Sequence, residues 1–148
     1  MNQPIRLTRP MRPIFPILLS VIWMSLIFYF SSLPASSTGP DTLTFKVISK
    51  MIHFIIFGIL SMLCLYSLKW RRPLQRTSIW VFILSLFLTI IYAITDEYHQ
   101  SFSPGRYPSV KDIILDASGA IAFLGITYKL TGKRNNKYNQ AIKTNRVK

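Results

Sequence analysis

Four blocks of apolar residues dominate this chain: Ile14–Phe30, Met51–Leu68, Ile79–Thr95 and Val110–Tyr128, each 17 to 19 residues long. A helix needs roughly 20 apolar residues to cross the hydrocarbon of a bilayer. A helix on the surface of a soluble domain shows a polar residue every second or third position. These blocks mostly lack one, and the third, WVFILSLFLTIIYAIT, is the plainest case. The fold class expected is therefore all-α: a polytopic membrane protein built as a four-helix transmembrane bundle. Arg6, Arg9 and Arg12 precede the first block as they would in a signal peptide, but its apolar run is too long and Leu33-Pro34-Ala35 makes a poor cleavage site. An uncleaved first helix is expected.

A net charge of +13 would suit a nucleic-acid partner, but its distribution argues against one. Arg6, Arg9 and Arg12 lie before helix 1, Lys69, Arg71, Arg72 and Arg76 between helices 2 and 3, and most of the remaining basic residues in 129–148. The acids Asp41, Asp96, Glu97, Asp112 and Asp116 lie in or beside the other two loops. Basic residues gather on the cytoplasmic side of short loops. Both termini are thus expected in the cytoplasm, with the loops after helices 1 and 3, the second carrying TDEYHQSFSPGR, outside. Three regions follow: a basic arm over 1–13, the membrane domain over 14–130, and a basic tail over 131–148 that rests on anionic headgroups or stays disordered. The stretch TLTFKVIS reads as an interfacial turn of helix leading into helix 2. The single cysteine, Cys64, lies in mid-block and excludes an intrachain disulfide. The chain shows no internal repeat, which weighs against a small transporter.

The residues able to carry chemistry fall at one end of this arrangement. Lys50 and His53 are three apart and share a helix face. Asp112, Asp116 and Gly119 form one stripe on helix 4, and Ser118, Ala122 and Gly125 a neighbouring one. Small residues let membrane helices approach closely, so the acids are expected to point into the bundle or a wet cavity. An acid at membrane depth costs about 2.5–3.5 kcal/mol on insertion scales and must pair, protonate or meet water. Asp116, a turn inside Asp112, should be the more buried. The stretch TDEYHQSFSPGR adds Asp96, Glu97, His99, Gln100 and Arg106. The Pro104-Gly105 turn is expected to aim Arg106 at the carboxylates.

Taken singly, each of these residues also has a structural reading, as an ion pair pinning helices or a satisfied interfacial histidine. Asp96, Glu97 and His99 offer oxygen and imidazole ligands, but the spacing is short and common, so no metal and no cofactor is expected. Lys50, His53 and Arg106 could instead bind a phosphate. There is no nucleophile elbow and no phosphate loop.

The segments FYFSSLP, KMIHFIIFGIL and TDEYHQSFSPGRYPSVKDIILDASGAIAF together resemble the VanZ-like family of small bacterial membrane proteins, over roughly residues 15–130. The family pattern falls on Lys50, His53, Asp96, Glu97, His99, Gln100, Phe102, Pro104, Gly105, Arg106, Asp112 and Gly119; the family often has Asn where this chain has Asp116. The resemblance implies a multi-pass protein of the bacterial cytoplasmic membrane and links it to low-level resistance to the glycopeptide teicoplanin. The leading expectation is an outward polar site, made of these residues, that binds membrane lipid, a lipid-linked or polymeric envelope component, or the glycopeptide. The alternative is a membrane enzyme acting on a lipid-linked phosphate or sugar, with His53 or His99 as acid/base, Glu97 or Asp96 as base or metal ligand, and Lys50 with Arg106 clamping the anion. No oligomeric state follows from the sequence.

Overall fold

A computed structural model describes residues 14–34, 42–69 and 77–146, with side chains described as far as Gly132. The basic arm, Asp41 and the core of the 69–78 loop lie outside the described residues. Among the described residues the chain is helical: α1 is Ile14–Ser31, α2 Leu43–Leu68, α3 Ile79–Gln100 and α4 Val110–Arg146. All four are long and apolar enough to cross a membrane, α4 over Val110–Gly132.

Helix ends differ from the expected ones at three points. α2 starts eight residues before the apolar block, because Thr42 caps it, its hydroxyl accepting from the Phe45 N–H at 3.4 Å. TLTFKVIS is thus the first two turns of α2 itself. α3 runs five residues past its apolar block, so Asp96 and Glu97 belong to the helix and not to a loop. Backbone helix in α4 continues beyond residue 130 to Arg146, through the stretch expected as a separate tail.

α2 lies at the centre of the bundle. It packs against α1, α3 and α4, most extensively α4, whereas α1 and α4 do not meet. One core cluster joins Ile27 of α1, Phe57 and Leu60 of α2 and Ala93 of α3, with Cys64 against it; a second joins Leu65, Phe82 and Leu124 toward the opposite end. Two aromatic side chains tie α1 down: Trp23 Nε1 donates to the Ile56 carbonyl at 3.0 Å, and the Tyr92 hydroxyl donates to the Met24 carbonyl at 2.6 Å. Outside this narrow core, large apolar side chains such as Phe15, Leu18, Ile55, Phe87 and Ile121 are exposed along the helices. That surface suits lipid, where an apolar exterior costs nothing.

The α2–α4 contact rests on glycine. A Cβ built on Gly119 would lie 2.1 Å from the Phe54 carbonyl oxygen, and one on Gly58 2.5 Å from the Phe123 ring. Gly125 has nothing within 4 Å. Of the two small-residue stripes on α4, the one carrying Asp112, Asp116 and Gly119 is therefore the one that α2 approaches. Pairs along the contact (Phe54 with Gly119, Gly58 with Phe123, Met62 with Thr127) advance together, so α2 and α4 run parallel.

Candidate functional site

The path of the chain brings the end of α1, the beginning of α2, the end of α3 and the beginning of α4 to one end of the bundle. The ionisable candidate site residues Lys50, His53, Asp96, Glu97, His99, Arg106, Asp112 and Asp116 lie there, in three groups.

The first group spans α2 and α4. Lys50 Nζ is 3.3 Å from Asp112 Oδ1, and one turn deeper His53 Nδ1 is 3.4 Å from Asp116 Oδ1. The i, i+3 spacing on α2 meets the i, i+4 spacing on α4 because the two helices are parallel. The upper pair is open to solvent, with the side chains 56 % and 33 % exposed. An ion pair there contributes only about 0–1 kcal/mol. Asp116 is closed off at 2 % exposure, as its place a turn deeper implies. His53 Nδ1 and Asp116 Oδ1 approach without the alignment of a hydrogen bond.

The second group centres on Gln100. Its Nε2 donates to Asp96 Oδ2 at 2.8 Å and to Ser31 Oγ at 3.4 Å, and its Oε1 accepts from an Arg106 NH at 3.1 Å. Arg106 Nε donates to the Leu33 carbonyl at 3.1 Å. The turn that places Arg106 has the features of type II: the Arg106 N–H donates to the Ser103 carbonyl, Pro104 precedes Gly105, and Gly105 has φ 78°. The expectation that Arg106 pairs directly with a carboxylate is thus corrected. Its guanidinium fork spans a side-chain amide and a backbone carbonyl, and it reaches Asp96 only through Gln100. Ser103 Oγ donates to the Ser31 carbonyl at 3.1 Å and closes the loop against α1. We expect Arg106→Ala to lower thermal stability in detergent by about 1–3 kcal/mol, since Gln100 Oε1 and the Leu33 carbonyl both lose a partner. Arg106→Lys should recover only part, because an ammonium lacks the fork. Unchanged melting for both variants would contradict this.

The third group is a pair of side chains that turn away from the rest. Glu97 Oε1 accepts from the Ser109 N–H, beside the first turn of α4, where the helix dipole also favours a carboxylate. His99 faces α1: its Nε2 shares a hydrogen bond with Ser32 Oγ at 2.9 Å, and its ring stacks on Phe28 at 4.0 Å. Two residues along a helix are about 200° apart, so Glu97 and His99 address different neighbours. Among the described residues no three His, Cys, Asp or Glu side chains assemble as a metal site. The weak ligand set of Asp96, Glu97 and His99 does not come together.

What remains is a set of acceptors. Asp96 is 3 % exposed, and its Oδ1 has no hydrogen-bond partner; the same holds for Asp116 Oδ1. The carboxylates of Asp96, Glu97, Asp112 and Asp116 lie within one another's electrostatic reach.

A family model described as VanZ/LLP1 matches residues 15–131 of this chain. The chain belongs to the VanZ/LLP1 family. No curated protein and no solved structure matches it. The VanZ/LLP1 match runs from the first turn of α1 to the end of the membrane-crossing part of α4, so all three polar groups fall inside it. Several partners in this VanZ/LLP1 bundle were not singled out as site residues: Ser31, Ser32, Leu33, Ser103 and Ser109. Two of them act through backbone carbonyls, which carry no sequence signal. The serines that end the apolar run in FYFSSLP were the available hint.

Proposed function

We propose that this protein is a multi-pass protein of the bacterial cytoplasmic membrane whose polar end faces outward and binds a component of the cell envelope, and that occupancy alters how glycopeptides such as teicoplanin reach their target. The observation that carries the reading is the pair of buried carboxylates, Asp96 and Asp116, each with an oxygen that accepts no hydrogen bond. Such groups cost free energy in a fold that needs them only for packing, and ionisable residues in a membrane mark function. Orientation follows from the basic residues that flank the other end of the helices. The family membership supports the link to glycopeptides. The test is to purify the protein in native lipid and identify what co-purifies by mass spectrometry, for wild type and Asp96→Asn. The reading expects an envelope molecule with the wild type that Asp96→Asn loses, and a matching loss of any change in teicoplanin susceptibility on expression. Identical co-purifying material from both proteins would contradict it.

The second reading, a membrane enzyme acting on a lipid-linked substrate, is supported by one feature. Asp116 Oδ1 lies 3.4 Å from His53 Nδ1, so a small reorientation would let the carboxylate accept a hydrogen bond and orient the imidazole for proton transfer. His99, held against Phe28 and Ser32, is the weaker acid/base candidate. His53→Gln decides between the two readings. Under the binding reading, ligand retention falls by a graded factor; under the enzymatic one, turnover of a lipid-linked substrate falls by a factor of about 100 or more.

A further inference from the structure

Lys50 and Arg106 at the polar end are engaged by the protein itself, whereas carboxylate oxygens there are enclosed without a hydrogen-bond donor. Lys50 lies against Asp112, and Arg106 is held by Gln100 and the Leu33 carbonyl. Lys46 and Lys111, on the first turns of α2 and α4, also lie at this end, so its described cations and the acids Asp96, Glu97, Asp112 and Asp116 are equal in number; the acids are set apart by the burial of Asp96, Glu97 and Asp116. Asp96 Oδ1 and Asp116 Oδ1 are enclosed and accept no hydrogen bond, although Asp116 Oδ1 lies 3.4 Å from His53 Nδ1.

We propose that the group this end takes is a primary ammonium, carried by the headgroup of a zwitterionic aminophospholipid. The proposal rests on the binding reading above and specifies its ligand. An ammonium has three donors and a positive charge, and it matches two carboxylate oxygens that lack donors. Lys50 on Asp112 already displays that chemistry at the rim. Being more than half exposed, Lys50 is free to swing away and admit a competing ammonium to the acceptors beneath it. Its own charge then meets the lipid phosphate, so the headgroup's two charges face opposite charges on the protein. A lipid is the source that lies at this depth: the polar end is flanked by exposed Tyr98, Phe102 and Tyr107, side chains of the kind that settle at the headgroup level.

The experiment uses the full chain purified in detergent, with native mass spectrometry as the readout. The probes are short-chain phosphatidylethanolamine, its N-acetylated form, short-chain phosphatidylglycerol and free ethanolamine. We expect phosphatidylethanolamine to bind at least tenfold more tightly than the N-acetylated form or phosphatidylglycerol. Asp96→Asn, which keeps an acceptor for Gln100 but turns the free oxygen into an amide, should remove that preference while its thermal melting stays near wild type. Binding of free ethanolamine as tight as the lipid would uphold the ammonium site but overturn the lipid as its source. Equal binding of the N-acetylated lipid, or preference for phosphatidylglycerol, overturns the ammonium proposal and leaves the binding reading standing. Should Asp96→Asn fail to fold, Asp116→Asn is read in the same way. Retention of no lipid, in a protein that also brings no envelope component from native membranes, overturns both.

Discussion

Replacing Gly119 should damage this protein more than any other glycine substitution in the membrane domain. Its Cβ would lie 2.1 Å from the Phe54 carbonyl oxygen and 2.9 Å from the carbonyl carbon. Backbone cannot move aside as a side-chain tip can, so α2 and α4 must separate. That separation disrupts the largest helix contact in the bundle and pulls Lys50 and His53 away from Asp112 and Asp116. Overpacking a tight interior by one methyl costs about 1–3 kcal/mol, and Gly119→Ala belongs at or above the upper end. Gly119→Leu should leave no folded protein in the membrane. Gly58→Ala should cost less, because the Phe123 ring it meets can turn. Gly125→Ala should be neutral or slightly stabilising, since it has open space and alanine favours helix. Thermal unfolding in detergent checks the order Gly119, Gly58, Gly125. A Gly119→Ala protein that melts with wild type would mean that the helices are not this close.

The second large effect is expected at Gln100. This buried amide connects Arg106 to Asp96 and also reaches Ser31. Gln100→Leu keeps most of the volume and removes both the donor and the acceptor. Asp96 then loses its Oδ2 partner in a place that is 3 % exposed, and Arg106 loses one of its two acceptors. Leaving a buried charged group without its hydrogen bond costs about 1–3 kcal/mol or more. Gln100→Leu should thus destabilise the protein more than Asp96→Asn, which keeps the Gln100 contact. In the double variant Gln100→Leu/Asp96→Leu the stranded carboxylate is gone, so part of the loss should return. Strict additivity of the two single changes would show that Gln100 and Asp96 are not coupled.

The helices were legible in the sequence because lipid imposes a simple demand: long apolar runs with nothing polar to interrupt them. Their ends were not, because an end is set by caps and local hydrogen bonds. Thr42 begins α2 within a polar stretch, and the Gln100–Asp96 contact, one turn apart, accompanies α3 past its apolar run. At the polar end, the Lys50/His53 face and the Asp112/Asp116/Gly119 stripe were legible from spacing, but not that they meet each other, because spacing along one helix does not say which neighbour covers it. The spacing could not tell which small-residue stripe of α4 that neighbour covers. Gly119 and Gly125 look alike in sequence, and only the position of Phe54 separates them. The partners of Arg106 and His99 were hidden for another reason. They are the Leu33 carbonyl and the Ser32 hydroxyl, far away along the chain, and a charged loop beside acids suggests ion pairs long before it suggests a backbone carbonyl.

The central claim is that the polar end faces outward, where an envelope ligand can reach it. Cysteine labelling tests it most directly. Cys64 is first replaced by alanine, so that the native thiol, half-buried in the core, does not interfere. Ser103, a natural choice in the outer loop, is buried and bonded to the Ser31 carbonyl, whereas Tyr107 is 87 % exposed. Tyr107→Cys should react with a membrane-impermeant thiol reagent added to intact cells, and Gln75→Cys, in the opposite loop, should react only after the cells are opened. If Gln75→Cys labels in intact cells and Tyr107→Cys does not, the polar end faces the cytoplasm and the account of an envelope-facing site is wrong.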